Sequence, residues 1–172
     1  MASNEESIWR NKGNVFFKEV FVDTIFTLTG NKLVPSIVFN TGKYHLPVQD
    51  AINRNIFSEQ IFISYISEND KFIFFQCLKG LHAGTTLYHG LYNKKTCETK
   101  LGEHDATIKD DLTHFMPFTP LGISTSGEFV SLVEAQDVMD WMRVYPEAVN
   151  NEKLSFLKGF NSDMNPIVIL IE

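Results

Sequence analysis

A strand, a tight turn and a second strand recur along this chain, and that recurrence limits the folds open to it. The first instance spans residues 22–44, V-D-T-I-F-T-L-T-G-N-K-L-V-P-S-I-V-F-N-T-G-K-Y. Ile25, Thr27 and Thr29 alternate with Phe26 and Leu28, the period of two that marks a half-buried strand. Gly30-Asn31 supplies the turn, because both residues tolerate positive φ. Residues 33–39 return as the second strand. Pro35 inside it predicts an edge strand or a bulge, since proline cannot donate to a ladder.

The frame repeats. Residues 61–67 (I-F-I-S-Y-I-S) and 72–78 (F-I-F-F-Q-C-L) flank the turn E-N-D-K. Residues 85–92 and 96–101 flank N-K-K, and 121–133 (L-G-I-S-T-S-G-E-F-V-S-L-V) form a further pair. Aligning Ile25, Phe72 and Phe129 gives separations of 47 and 57 residues. Units of about 40–50 residues with four short strands predict propeller blades. The expected fold is all-β: about three antiparallel four-stranded blades over 13–58, 59–116 and 117–172, a partial propeller in one domain. Residues 1–12 are expected to be poorly ordered.

Two short helices are predicted near the C-terminus. Ala135, Val138, Met139 and Met142 recur at helical spacing within 134–144, and Tyr145-Pro146 stops the run. Asn150 or Asn151 then caps a second helix through Leu154, Leu157 and Lys158, with Gly159 at its end. The apolar run 167–171 predicts a strand buried on both faces.

Charge excludes one class of partner. The net charge is −6, with Lys and Arg scattered, whereas a nucleic-acid surface needs a basic stripe to neutralise phosphates. The start, M-A-S-N-E-E-S-I-W-R, lacks the apolar core of a secretory signal. The run 167–171 falls far short of the roughly 20 apolar residues of a transmembrane helix. Cys77 and Cys97 read as two isolated thiols on neighbouring strands, open to bridging only in an oxidising compartment.

The densest polar stretch, G-E-H-D-A-T-I-K-D-D-L-T-H, offers Glu103, His104, Asp105, Asp110, Asp111 and His114. These are ligand types for a divalent metal and groups for acid–base chemistry. They fit a metal or carbohydrate site equally with a solvated acidic loop, because no fixed ligand spacing is present. His82 and His89, with Tyr88 and Tyr92 nearby, form a second candidate set. Exposed Trp9 or Tyr44 could stack on sugar rings or belong to the core. Asp23 and Thr24, ahead of a strand, fit an Asx-type turn better than a catalytic pair. No nucleophile elbow or phosphate-binding loop is present.

Four stretches in order carry a resemblance to the six-bladed, TolB-like β-propeller family of Bacteroides-type bacteria, in its C-terminal half. They are V-D-T-I-F-T-L-T-G-N-K-L-V-P-S-I-V-F-N-T-G-K-Y-H-L-P, N-D-K-F-I-F-F, I-K-D-D-L-T-H-F-M-P-F-T-P and S-D-M-N-P-I-V-I-L-I. Leu112-Thr113-His114 and Thr119 depart from that family's pattern. The resemblance implies a piece of a longer propeller whose relatives are exported, periplasmic or lipid-anchored. It sets Asp110 and Asp111 just ahead of an inner strand, near the central opening. It also implies a non-catalytic module binding a carbohydrate or protein ligand, with no obligatory cofactor. The alternative is a hydrolase or lyase acting on a sugar-like or lactone substrate through a divalent metal, as in propeller lactonases. Half a ring leaves blade faces bare, so self-association into a three-plus-three ring is expected.

Overall fold

A computed structural model describes residues 6–19, 21–45, 59–80, 84–103 and 106–171. The described chain is all-β, with three antiparallel sheets of four, four and three strands. It divides into two compact units, Met1–Ala106 and Thr107–Glu172.

The first sheet of unit one is a meander: β1 (Glu6–Asn11), β2 (Asn14–Glu19), β3 (Thr24–Thr29) and β4 (Lys32–Val38), in that spatial order. Strand β1 lies where no element is expected from sequence. It forms because Lys12 (φ 48°) and Gly13 (φ 78°) both take the left-handed conformation of a two-residue hairpin turn. Trp9 then stacks on Phe16 at 5.5 Å. Pro35 lies opposite Phe26, where the β3–β4 register shifts, and β4 is the sheet edge. Both readings of that proline hold together.

The second sheet contains β5 (Ile61–Glu68), β6 (Phe72–Lys79), β7 (Thr86–Asn93) and β8 (Glu98–Glu103). Two of its turns share one device. Asn69 Oδ1 accepts the N–H groups of Lys71 and Phe72, and Asn93 Oδ1 those of Lys95 and Thr96. The second turn holds Cys97, exposed at φ 58°, so it does not sit on a strand neighbouring Cys77. Cys77 is buried in β6, and both thiols are free. Burial pushes the Cys77 thiol up to about 11.

The two sheets share a core. Phe16 and Ile25 of the first meet Ile63, Ile66, Ile73, Phe75 and Cys77 of the second. Phe39 sets its ring edge against Phe75 at 5.0 Å. Gly90, across from Phe75 in β7, has no Cβ because the Phe75 ring occupies that volume. Polar ties join the leading hairpins: Trp9 Nε1 donates to the buried Glu68 Oε2 at 2.9 Å, and Lys12 Nζ pairs with Asp70 at 2.9 Å. Lys94 Nζ neutralises Glu68 from the other side at 2.5 Å.

These contacts revise the repeat. Phe72 opens the second strand of its sheet, whereas Ile25 lies in the third strand of its own. The 47-residue spacing therefore aligned non-equivalent strands. Alternating apolar residues mark any inward-facing strand, so they do not number it within a sheet.

Unit two holds β9 (Gly122–Ile123), β10 (Phe129–Val133), α1 (Ala135–Val144) and β11 (Ile167–Ile171), with sheet order β11-β10-β9. Helix α1 buries Ala135 and Val138, as its spacing predicts, and Met142 packs against the same cluster. The second expected helix, capped by Asn151, is the kinked 3₁₀ segment Glu152–Leu157, and a separate 3₁₀ turn, Pro146–Asn150, precedes it. The Asn151 side chain caps the later turn by accepting from Lys153 N, and Leu154 and Leu157 reach the core.

Strand β11 departs from expectation. It is an edge strand, and Val168 and Leu170 are 57% and 54% exposed. Only its Ile167 and Ile169 side pairs toward the buried residues of β10. Its apolar run marks a face with no partner among the described residues.

Candidate functional site

Among the described residues, the acidic stretch does not converge on one site. Glu103 closes β8, His104 and Asp105 lie outside the described residues, and Asp111 and His114 are exposed. The Asp110 carboxylate accepts the N–H groups of Leu112 and Thr113 at 2.9 Å each, that of Phe115 at 3.3 Å, and the Thr113 hydroxyl. Its partial burial favours the neutral acid. The bonds from Thr113, Leu112 and Phe115 outweigh that and hold the carboxyl below its ordinary value. The lone pairs a cation would need are already occupied by the turn. Among the described residues, no three His, Cys, Asp or Glu side chains group as metal ligands.

His82 lies outside the described residues. His89 Nδ1 donates to the Ala106 carbonyl at 2.8 Å, and its ring tilts against Phe74 at 5.7 Å. Tyr88, Tyr92 and Trp9 pack against the core of unit one. Tyr44 lies beneath two ammonium groups, Lys43 at 5.1 Å and Lys79 at 5.3 Å from its ring centre.

A different constellation comes together at Asp23. The β3–β4 hairpin extends beyond its strands, with Phe39 N donating to Asp23 O at 2.8 Å, which places residues 40–45 beside Asp23. Gly42 (φ 58°) lets a short 3₁₀ turn form there, held by the Asn40 side chain on Gly42 N at 3.1 Å. One oxygen, Asp23 Oδ2, takes the Thr41 hydroxyl at 2.9 Å and His45 Nδ1 at 2.6 Å. These residues line a cleft of about 640 Å³ together with Val22, Thr24 and Val38.

The cleft has a definite chemical range. A carboxylate on Nδ1 orients an imidazole and leaves Nε2 for a ligand or a proton. Among the described residues, neither serine nor cysteine lines it, and the Thr41 hydroxyl is turned toward Asp23. The described arrangement can hold a polar group and exchange a proton, and its described lining offers no activated nucleophile. Asp23 sits in a bend ahead of β3, and its carboxylate is a buttress for Thr41 and His45. Its pairing with His45 was hidden in sequence because 22 residues separate them. Only the hairpin register brings them together.

A second cleft, about 630 Å³, opens in unit one beside β4. Ile37, Phe39, Ile61, Ile73 and Phe75 line it, with the Tyr92 and Thr99 side chains adding polar groups.

Comparison with known proteins gives a family and a fold. The model of the family described as "Domain of unknown function (DUF4934)" matches residues 1–172, and the chain belongs to that family. No curated protein matches it. Among solved structures, the chain is similar to the crystal structure of a "Putative exported protein" from Bacteroides fragilis NCTC 9343. The TM-score is 0.66 at 20% identity, over 96% of this chain and 48% of that one. The chain thus spans about half the length of its structural neighbour. No helix among the described residues is long and apolar enough to cross a membrane, which says nothing of a β-barrel.

Proposed function

We propose that this member of the DUF4934 family is a non-catalytic protein-binding module made of propeller-type blades. One observation carries the reading: the outer face of the first sheet is apolar and uncovered among the described residues. Cross-strand pairing aligns Ile8, Phe17, Phe26 and Pro35 in one row, and Arg10, Val15, Leu28 and Leu33 in the next. Ile8, Leu28 and Leu33 are 69%, 45% and 50% exposed. Soluble proteins rarely leave so contiguous an apolar face open unless it binds something. Stacking of like on like supports the blade reading, since the β1–β2 and β5–β6 hairpins are joined by the Trp9–Glu68 and Lys12–Asp70 contacts.

The rival, a hydrolase or lyase using a divalent metal near Asp110 and Asp111, has weaker support. Asp110 is committed to its own backbone, and Asp111 is exposed apart from it.

Charging the face tests the module. Leu28→Lys with Leu33→Lys should leave the far-ultraviolet spectrum and thermal melt of the chain unchanged, because neither side chain enters the core. The same variant should lose complexes, and apolar-dye uptake, that the parent shows. A parent and variant identical in both hydrodynamics and dye uptake would remove the proposal.

A further inference from the structure

We infer that the cleft at Asp23, Thr41 and His45 is a binding site for a small primary amine whose ammonium group is attached to an apolar body. The inference goes beyond the protein-binding reading and does not depend on it, because Ile8, Leu28 and Leu33 do not line this cleft. Its polar end presents two acceptors. Asp23 Oδ2 takes both donors, the Thr41 hydroxyl at 2.9 Å and His45 Nδ1 at 2.6 Å. Asp23 Oδ1 accepts no hydrogen bond among the described residues, although the Asp23 side chain is only 14% exposed. A carboxylate oxygen so far removed from water gains from meeting a donor. With its Nδ1 proton on Asp23, the neutral His45 ring has an acceptor lone pair at Nε2.

One ammonium group matches that pair. Each acceptor lies one carboxylate or one ring width from the 2.6 Å Asp23–His45 contact, so two N–H groups of a single ammonium can reach both. Its positive charge faces Asp23, the only carboxylate on the described lining. Lys18, within electrostatic reach of Asp23, does not line the cleft, and it donates to the Glu19 and Ile63 carbonyls. An anionic ligand would meet the Asp23 charge. A metal ion would lack ligands, since no three suitable side chains group among the described residues. The remaining wall selects the body of the ligand. Phe21, Val22 and Phe39 are half-buried and Val38 is 66% exposed, a hydrocarbon surface that gains from being covered by an alkyl or aromatic group. A sugar would set hydroxyl groups against the same wall without partners. The volume of about 640 Å³ is in the range of small-molecule sites.

Calorimetric titration of the full chain with phenethylamine tests this at about pH 7.5, where an alkylamine is charged. Phenylacetate, of like shape and opposite charge, and the N-trimethylated amine, which keeps the charge but has no N–H, serve as controls. The parent should bind the amine and neither control with comparable affinity. Asp23→Asn removes the charge and should weaken the amine about tenfold to a hundredfold. Nitrogen resonances of the imidazole rings locate the site in the parent itself, without relying on the fold of that variant. The amine should move the His45 Nε2 resonance, assigned by its absence from His45→Ala. No amine binding by the parent, or either control binding as tightly, would overturn the inference. So would an unmoved His45 resonance, or a folded Asp23→Asn with unchanged affinity. Each of those results leaves the apolar rows of the first sheet, and the protein-binding reading, as they stand.

Discussion

The Asp110 carboxylate works on its own turn, and that role sets its pH behaviour. Its folded value lies below the ordinary one, so its stabilisation is fully present above about pH 4 and fades as the pH falls through the folded value. Asp110→Ala should cost about 1 kcal/mol at pH 7, with a smaller difference from the parent at pH 3, read by thermal melts at both. Lys18 runs the other way. Its side chain is 3% exposed and donates to the Glu19 and Ile63 carbonyls at 2.8 and 3.0 Å. Burial brings it down to about 8, partly offset by Asp23. Between about 8 and the ordinary 10.5 the unfolded chain holds a proton that the folded chain has released. Stability therefore gains with rising pH across that window. Urea titrations at pH 7.5 and 9.5 should show the parent gaining relative to Lys18→Met by about 2 kcal/mol. An equal pH response in the two proteins would contradict the buried-ammonium account.

At the scale of elements, the junction between the first two sheets depends on side chains with no spare room. In Gly90→Ala the new methyl would enter the Phe75 ring, so denaturant melts should show a loss of about 1–3 kcal/mol. Trp9→Phe keeps an aromatic stack on Phe16 but removes a donor from the buried Glu68, and a loss of about 1–3 kcal/mol is expected from the same measurement. Most strands were legible in sequence, because alternating apolar residues and Gly-Asn or Asn-x-Lys turns act locally. Strand β1 was not, since Trp9 and Ile8 read as structured only beside β2. The cleft at Asp23 was equally illegible, because its partners Thr41 and His45 arrive through hairpin register. Asp110 and Asp111 stood out by charge density, which solvated turns share with ligand sites.

For the whole molecule, the apolar run of β11 is the informative surprise. Its sequence reads as a strand buried on both sides, yet it lies at a sheet edge with one side open. The composition and the described surface disagree at the same two places, the outer rows of β1–β4 and the Val168–Leu170 face. A partner over the β1–β4 rows removes the disagreement there. Hydrodynamics and apolar-dye fluorescence of the parent beside Leu28→Lys/Leu33→Lys ask most directly whether that face binds. The account predicts that the variant loses the complexes or the dye uptake of the parent while its thermal melt stays unchanged. A parent and variant identical in both would contradict it.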